Sequence, residues 1–185
     1  MTLRAEEIFA VLHRHEVRYV VIGGLGAVLH GSPIVTQDAD ICPARDRANL
    51  DRLAAALRDL KARLRVANAP DGIAFPFEGA FLANVQLLNL TTPFGDLDLS
   101  YEPAGTRGYA DLEPNATLYE IGGKQVAVAA LDADAPRESS AKGALVTHGD
   151  VTVAYASNST ASVRMILLRR HDPDTAYRIR RPFDA

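Results

Sequence analysis

The stretch from residue 20 to residue 41, VVIGGLGAVLHGSPIVTQDADI, constrains this chain more than any other. An apolar run, Tyr19-Val20-Val21-Ile22, ends in Gly23-Gly24, and a short helical segment follows as far as His30. Gly31-Ser32-Pro33 then turns the chain into Ile34-Val35-Thr36-Gln37-Asp38-Ala39-Asp40-Ile41. The pattern reads as strand, glycine turn, helix, turn, and a strand carrying two carboxylates. Side chains on a strand alternate faces, so Asp38 and Asp40 point the same way, about 6 to 7 Å apart. Two carboxylates held this close repel each other unless a positive charge lies between them, and a divalent cation is the usual one. The alternative is an edge strand whose solvent face carries two aspartates. It is the weaker reading, because Asp is depleted in strands and two on one face of an apolar strand need a reason.

The Gly23-Gly24 turn opens a helix, where backbone amides can approach a phosphate and the helix N-terminus favours negative charge. Such turns are common, so the pair gains weight only from the acids that follow. A dinucleotide-binding reading fails on two counts. Gly-Gly-Leu-Gly does not match G-x-G-x-x-G, and the connection to the next strand is too short for a crossover helix. A two-metal phosphoryl-transfer site needs more than two carboxylates. Phe94-Gly95-Asp96-Leu97-Asp98-Leu99-Ser100 offers two on one face. Asp98 sits between leucines and is preferred over Asp96, which lies beside the glycine and can simply end the turn.

Around these motifs the chain reads as one domain of mixed helices and strands, and 185 residues suffice for a substantial core. Residues 2 to 16 predict a helix capped by Thr2. Strands are expected over 18–22 and 35–42, the latter stopped by Pro43, with a helix over 24–29 between them. The clearest helix runs from Asp46 to Arg65, with Leu50, Leu53, Ala54, Leu57, Leu60 and Leu64 on one face. Residues 68–80 and 102–115 read as loops. Strands over 81–90 and 94–101 form a hairpin, and strands over 118–121 and 125–131 form a second one around Gly122-Gly123. Beyond residue 131 the pattern weakens to a strand over 151–156 and a short helix over 165–168. The division is therefore a core over 1–131 and an extension over 132–185.

The formal net charge of −3 argues against general nucleic-acid coating, although a local basic patch is compatible with it. Two such patches stand out: Arg52, Arg58, Arg63 and Arg65 on the long helix, and the arginines from Arg164 to Arg181. The single cysteine, Cys42, fits a reducing compartment. No apolar run reaches the roughly 18 residues of a membrane span. The N-terminus contains acids and lacks a continuous apolar stretch, so it does not read as a signal peptide. These features predict a cytoplasmic protein. The five histidines are scattered, and His30 is expected to pack under the glycine turn.

The order of Gly-Gly, short helix, Asp-x-Asp and a later strand aspartate resembles the polymerase-beta-type nucleotidyltransferase superfamily. The wording of residues 19 to 42 is most similar to the minimal nucleotidyltransferases of the AbiEii and MenT toxin group, and the resemblance extends over residues 1 to 131. It implies an α+β fold, a mixed sheet flanked by helices. It implies two Mg²⁺ ions held by the catalytic acids Asp38, Asp40 and Asp98, and a nucleoside triphosphate, a pyrimidine by preference, whose phosphates meet Gly23 and Gly24. The activity implied is transfer of nucleotides to the 3′ acceptor end of tRNA, which blocks translation. A small cognate antitoxin protein can silence such toxins by phosphorylating a residue two positions before the first acid, here Thr36, placing about two negative charges beside the metal ligands.

The chain departs from that pattern in two places. Ile34 stands where relatives carry an arginine facing the triphosphate. The downstream helix whose lysine contacts nucleotide phosphates is represented only by Lys142 and Asp150, among poor helix formers. Two alternatives follow: a nucleotidyltransferase acting on a small molecule or a protein hydroxyl, and a catalytically inactive module that binds a partner.

Overall fold

The computed structural model describes residues 2–33, 35–66 and 69–130 in full and the backbone alone of three later strands. In chain order the elements are α1 (Ala5–Arg14), β1 (Tyr19–Ile22), α2 (Gly23–Leu29), β2 (Asp38–Pro43), α3 (Arg47–Asp59), β3 (Arg63–Val66) and β4 (Ala69–Ile73). There follow α4 (Gly79–Leu82), β5 (Leu87–Thr92), β6 (Gly95–Ser100), α5 (Tyr109–Leu112), a 3-10 turn (Glu113–Asn115), β7 (Thr117–Ile121) and β8 (Lys124–Val128). The later strands are β9 (Leu145–His148), β10 (Val151–Asn158) and β11 (Ser162–Arg170).

Eight strands form one mixed sheet in the order β4-β3-β5-β6-β2-β1-β8-β7, and β11-β10-β9 form a second, antiparallel one. In the large sheet β2 runs parallel to β6 and β1 parallel to β8, while the remaining neighbours are antiparallel. The expected α+β class, a mixed sheet flanked by helices, is what the chain forms. No helix among the described residues is long and apolar enough to cross a membrane.

Strand alternation sorts the sheet into two faces. The registers line up Val128, Val21, Ile41, Leu99 and Leu88 across five strands. All five are buried and pack with Ile8, Phe9 and Leu12 of α1 and Leu50, Leu53 and Leu57 of α3. Each such leucine or isoleucine contributes about 1.5–3 kcal/mol on burial. The residues that alternate with this row, including Asp38, Asp40, Asp96 and Asp98, face the other side.

Several boundaries differ from the sequence reading. Thr2 does not cap α1, whose N-cap is Arg4 with no side-chain cap bond. Residues before α1 are instead tied to the β5–β6 turn: the Arg4 amide donates to Phe94 O at 2.7 Å and its guanidinium to Pro93 O at 2.9 Å. The helix expected to reach Arg65 stops at Asp59, after an Asp46 carboxylate that caps Asn49 N. Lys61 takes φ +50, and Ala62 N bonds Leu57 O at 3.0 Å, the closing bond of a Schellman turn. Glu16 at φ +53 closes α1 the same way, with Val17 N on Leu12 O.

Released from the helix, residues 63–66 become β3 and pair with β4, part of the segment expected to be a loop. The strand expected over 81–90 begins only at Leu87, because Gly79–Leu82 forms α4 against α3. A Cβ on Gly79 would stand 2.0 Å from Asp51 Oδ1 and 3.1 Å from Asp51 N, so a larger residue there would displace the Asp51 side chain. Likewise β2 starts at Asp38 rather than Val35, which is 87% exposed. The loop expected over 102–115 contains α5 and the 3-10 turn, and the short helix expected over 165–168 lies within β11.

Candidate active site

The parallel pairing of β2 with β6 sets Asp38 beside Asp96 and Asp40 beside Asp98. Neighbours in register share a face, so the two Asp-x-Asp segments form a block of four carboxylates on the side away from the leucine core. Ligand oxygens of Asp38, Asp40 and Asp98 lie within 4.8 Å of one another. Asp98 belongs to that trio and also meets Arg65, while Asp96 meets Arg65 outside it.

Arg65 is the residue that sequence reasoning misplaced. It was expected on a basic helix face with Arg52, Arg58 and Arg63. Instead it extends from β3, its Nη1 donating to Asp96 Oδ2 at 2.5 Å and its Nη2 to Asp98 Oδ1 and Oδ2 at 2.8 and 2.7 Å. Among the described residues it is the only cation hydrogen-bonded to the four acids. Burial works against its charge, but the bond to Asp96 and the charges of both aspartates outweigh that and hold its pKa above the ordinary value. The other arginines of that set satisfy backbone or neighbouring groups, Arg58 on Phe77 O and Arg63 on Asp71 O and Gly72 O.

The glycine turn serves the acids directly. Gly23 has φ +70, and a Cβ there would fall 1.9 Å from Asp40 Oδ2. A Cβ on Gly24 would fall 2.8 Å from Thr36 Oγ1. The Gly24 amide favours the charged form of the Asp40 carboxylate. Thr36, two residues before β2, donates its hydroxyl to Asp38 Oδ1 at 2.9 Å. Gly23 and Gly24 therefore seat Asp40 and Thr36. His30 lies at the other end of α2, with Nε2 on Ala129 O at 2.8 Å and Nδ1 on Tyr119 OH at 2.9 Å. It ties α2 to the β7–β8 hairpin, in keeping with a packing role.

Crowding shows in the acidities. Burial first, then the charges of Asp38 and Asp98, push Asp40 up to about 7, against the pull of the Gly24 amide and Arg65. Asp98 is raised to about 6 by burial, tempered by Arg65. One guanidinium thus leaves the block short of positive charge.

A hard divalent cation fits these residues. The donors are all carboxylate oxygens, the set that Mg²⁺ prefers over sulfur or imidazole. Asn89 stands directly opposite Asp98 in the β5–β6 pairing and shares its face. Its Oδ1 is buried and accepts no hydrogen bond, an orphan that a cation's water could satisfy. Neither Arg65 nor Asn89 could be recognised from sequence, because β3 and the β5–β6 register are tertiary facts. The one available signal was the alternation Arg63-Leu64-Arg65. Lys142 lies outside the described residues.

No family model matches this chain, and no curated protein matches it. Among solved structures, the lincosamide antibiotic adenylyltransferase LnuA with lincomycin bound is similar at 16% identity and a TM-score of 0.45, over 70% of this chain and 81% of that chain. A candidate nucleotidyltransferase from Thermotoga maritima is similar at 17% identity and a TM-score of 0.43, with the same coverages of 70% and 81%. Both likenesses are remote, and what can be said of chemistry comes from the acid block.

Proposed function

We propose that this chain is a Mg²⁺-dependent nucleotidyltransferase that moves a nucleotide from a nucleoside triphosphate to the 3′ end of tRNA, as the toxin of a toxin–antitoxin pair. The observation that carries the enzymatic part is the convergence of Asp38, Asp40 and Asp98 from adjacent parallel strands onto one point. The tRNA acceptor and the toxin role rest on the resemblance of residues 19 to 42.

Asp38, Asp40 and Asp98 would hold Mg²⁺, whose chemistry there would be to lower the pKa of an attacking hydroxyl and to offset the charge on pyrophosphate. The chain's own residues prepare for this. Gly23 keeps a side chain away from Asp40 and Gly24 keeps one away from Thr36, and in this reading the two glycines also let triphosphate oxygens approach the turn. Thr36 fixes the Asp38 carboxylate through its hydroxyl. Phosphorylated, Thr36 would lose that donor and set about two negative charges against Asp38, which is how an antitoxin kinase would silence the site. Residues 1–131 form the catalytic core in this reading, and residues 132–185, with Lys142 as a phosphate ligand, an extension that completes the nucleotide site.

Incubation with labelled nucleoside triphosphates, Mg²⁺ and total tRNA tests the reading. Label is expected on tRNA 3′ ends, with a preference for pyrimidines, and Asp38→Ala and Thr36→Glu should each abolish it. Label on a small-molecule or protein hydroxyl instead would replace the acceptor. No label anywhere, with Asp38→Ala leaving every measured property unchanged, would leave only a binding module.

A further inference from the structure

Arg65 reaches its partners across an intervening strand. The sheet order places β5 between β3 and β6, so the Arg65 backbone stands two strand spacings, about 9 to 10 Å, from that of Asp98. The register Arg63↔Thr91, Leu64↔Leu90, continued by one residue, sets Arg65 level with Asn89, which is itself opposite Asp98. A long arginine spans this gap, and its fork meets two carboxylates at once: Nη1 takes Asp96, and Nη2 takes both oxygens of Asp98. The side chains involved are 32%, 33% and 14% exposed for Arg65, Asp96 and Asp98. An ion pair half withdrawn from water gains little stability, since the desolvation of its charges roughly cancels their attraction. The geometry is directional, however. Anchored on Asp96 through Nη1, the planar guanidinium holds Nη2 against both Asp98 oxygens and so limits where that carboxylate can turn.

We propose that Arg65 is a positioning residue for the metal centre, clamping Asp98 so that its outward lone pairs point to the place where Asp38 and Asp40 converge. Asp96 serves as the anchor for the clamp, which explains why an acid on the site face takes no place among the three converging ligands. This rests on the metal-dependent reading above and adds a residue to it. Partners that orient metal ligands typically change metal affinity 10- to 100-fold when removed. The opposing effect is charge: Arg65 also repels an incoming cation, and its loss would then tighten binding.

Mn²⁺ binding to the full chain, followed by electron paramagnetic resonance without nucleotide, decides between them. Arg65→Gln is expected to weaken Mn²⁺ binding 10- to 100-fold, as is Arg65→Lys, because one ammonium keeps the charge but cannot grip both carboxylates. In an Asp98→Asn background Arg65→Gln should have no further effect. Thermal melting with excess Mn²⁺ and without it checks that each variant folds. Tighter binding in Arg65→Gln would make Arg65 a competitor for Asp98 and overturn the proposal. Unchanged binding with a lowered Tm would reduce it to a staple between strands, which also overturns it. Should the wild-type chain bind no Mn²⁺ at all, the metal-dependent function itself fails, an outcome distinct from either of these.

Discussion

Gly23 combines two requirements that no other residue meets together. Its φ of +70 costs an L-residue about 1–2 kcal/mol, and the Cβ it lacks would lie inside the Asp40 carboxylate. Gly23→Ala is therefore expected to lower Tm by several degrees and to weaken Mn²⁺ binding at least tenfold, as Asp40 is pushed from its seat. Equal Mn²⁺ affinity in the variant would show that Asp40 tolerates displacement and is not a ligand. The sequence marks this glycine as part of a turn that phosphates can approach; the structure adds a separate demand, from an acid on the neighbouring strand. Asp98 was legible from residue-level reasoning, since an acid between Leu97 and Leu99 on an apolar strand calls for an explanation. Arg65 was not, because an arginine in a helical-looking run is ordinarily a solvated charge.

Elements were read well where periodicity is strong and poorly where the stop signal is unusual. The leucine stripe of α3 is helical as expected, yet the helix ends at Asp59 without a glycine to announce it. Lys61 closes it in the left-handed region at φ +50, as Glu16 does for α1 at φ +53. Relieving that strain gives a direct test. Lys61→Gly should stabilise the protein by about 0.5–1 kcal/mol, after the greater freedom glycine has in the unfolded chain is deducted. That corresponds to a rise of roughly 1–4 °C in Tm for a chain of this size. An unchanged or lower Tm would mean that the lysine side chain contributes more at this turn than its backbone costs. The early stop matters beyond stability, because it frees residues 63–66 to form β3 and carry Arg65 to the site.

At the scale of the molecule, the acid block couples function to stability through pH. Asp40 and Asp98 are raised in the folded state to about 7 and about 6 from an ordinary 3.8. Over that window the folded state holds more protons than the unfolded one, so this stability is fully present only below about pH 3.8 and is lost as pH rises through about 7. Metal-free protein is thus expected to melt lower at pH 8 than at pH 5, and Asp40→Asn to lessen the difference. Saturating Mg²⁺ should lessen it too, by supplying the positive charge that the block lacks. A wild-type Tm that rises over this range, in the absence of metal, would show that the acids are not crowded as described.

The sequence by itself determined the local pieces: the glycine turn, two carboxylates on one face of a strand, a candidate third acid, and the leucines of α3. These follow from periods of 2 and 3.6 residues and from glycine's backbone, all properties of near neighbours in the chain. Only the tertiary structure decided which pieces meet. The parallel register of β2 and β6 brought Asp98 level with Asp40 and left Asp96 for Arg65. The placement of β3 beyond β5 carried that arginine across the sheet. Register and strand order depend on how a whole sheet buries its leucine face, and no stretch of sequence encodes that alone.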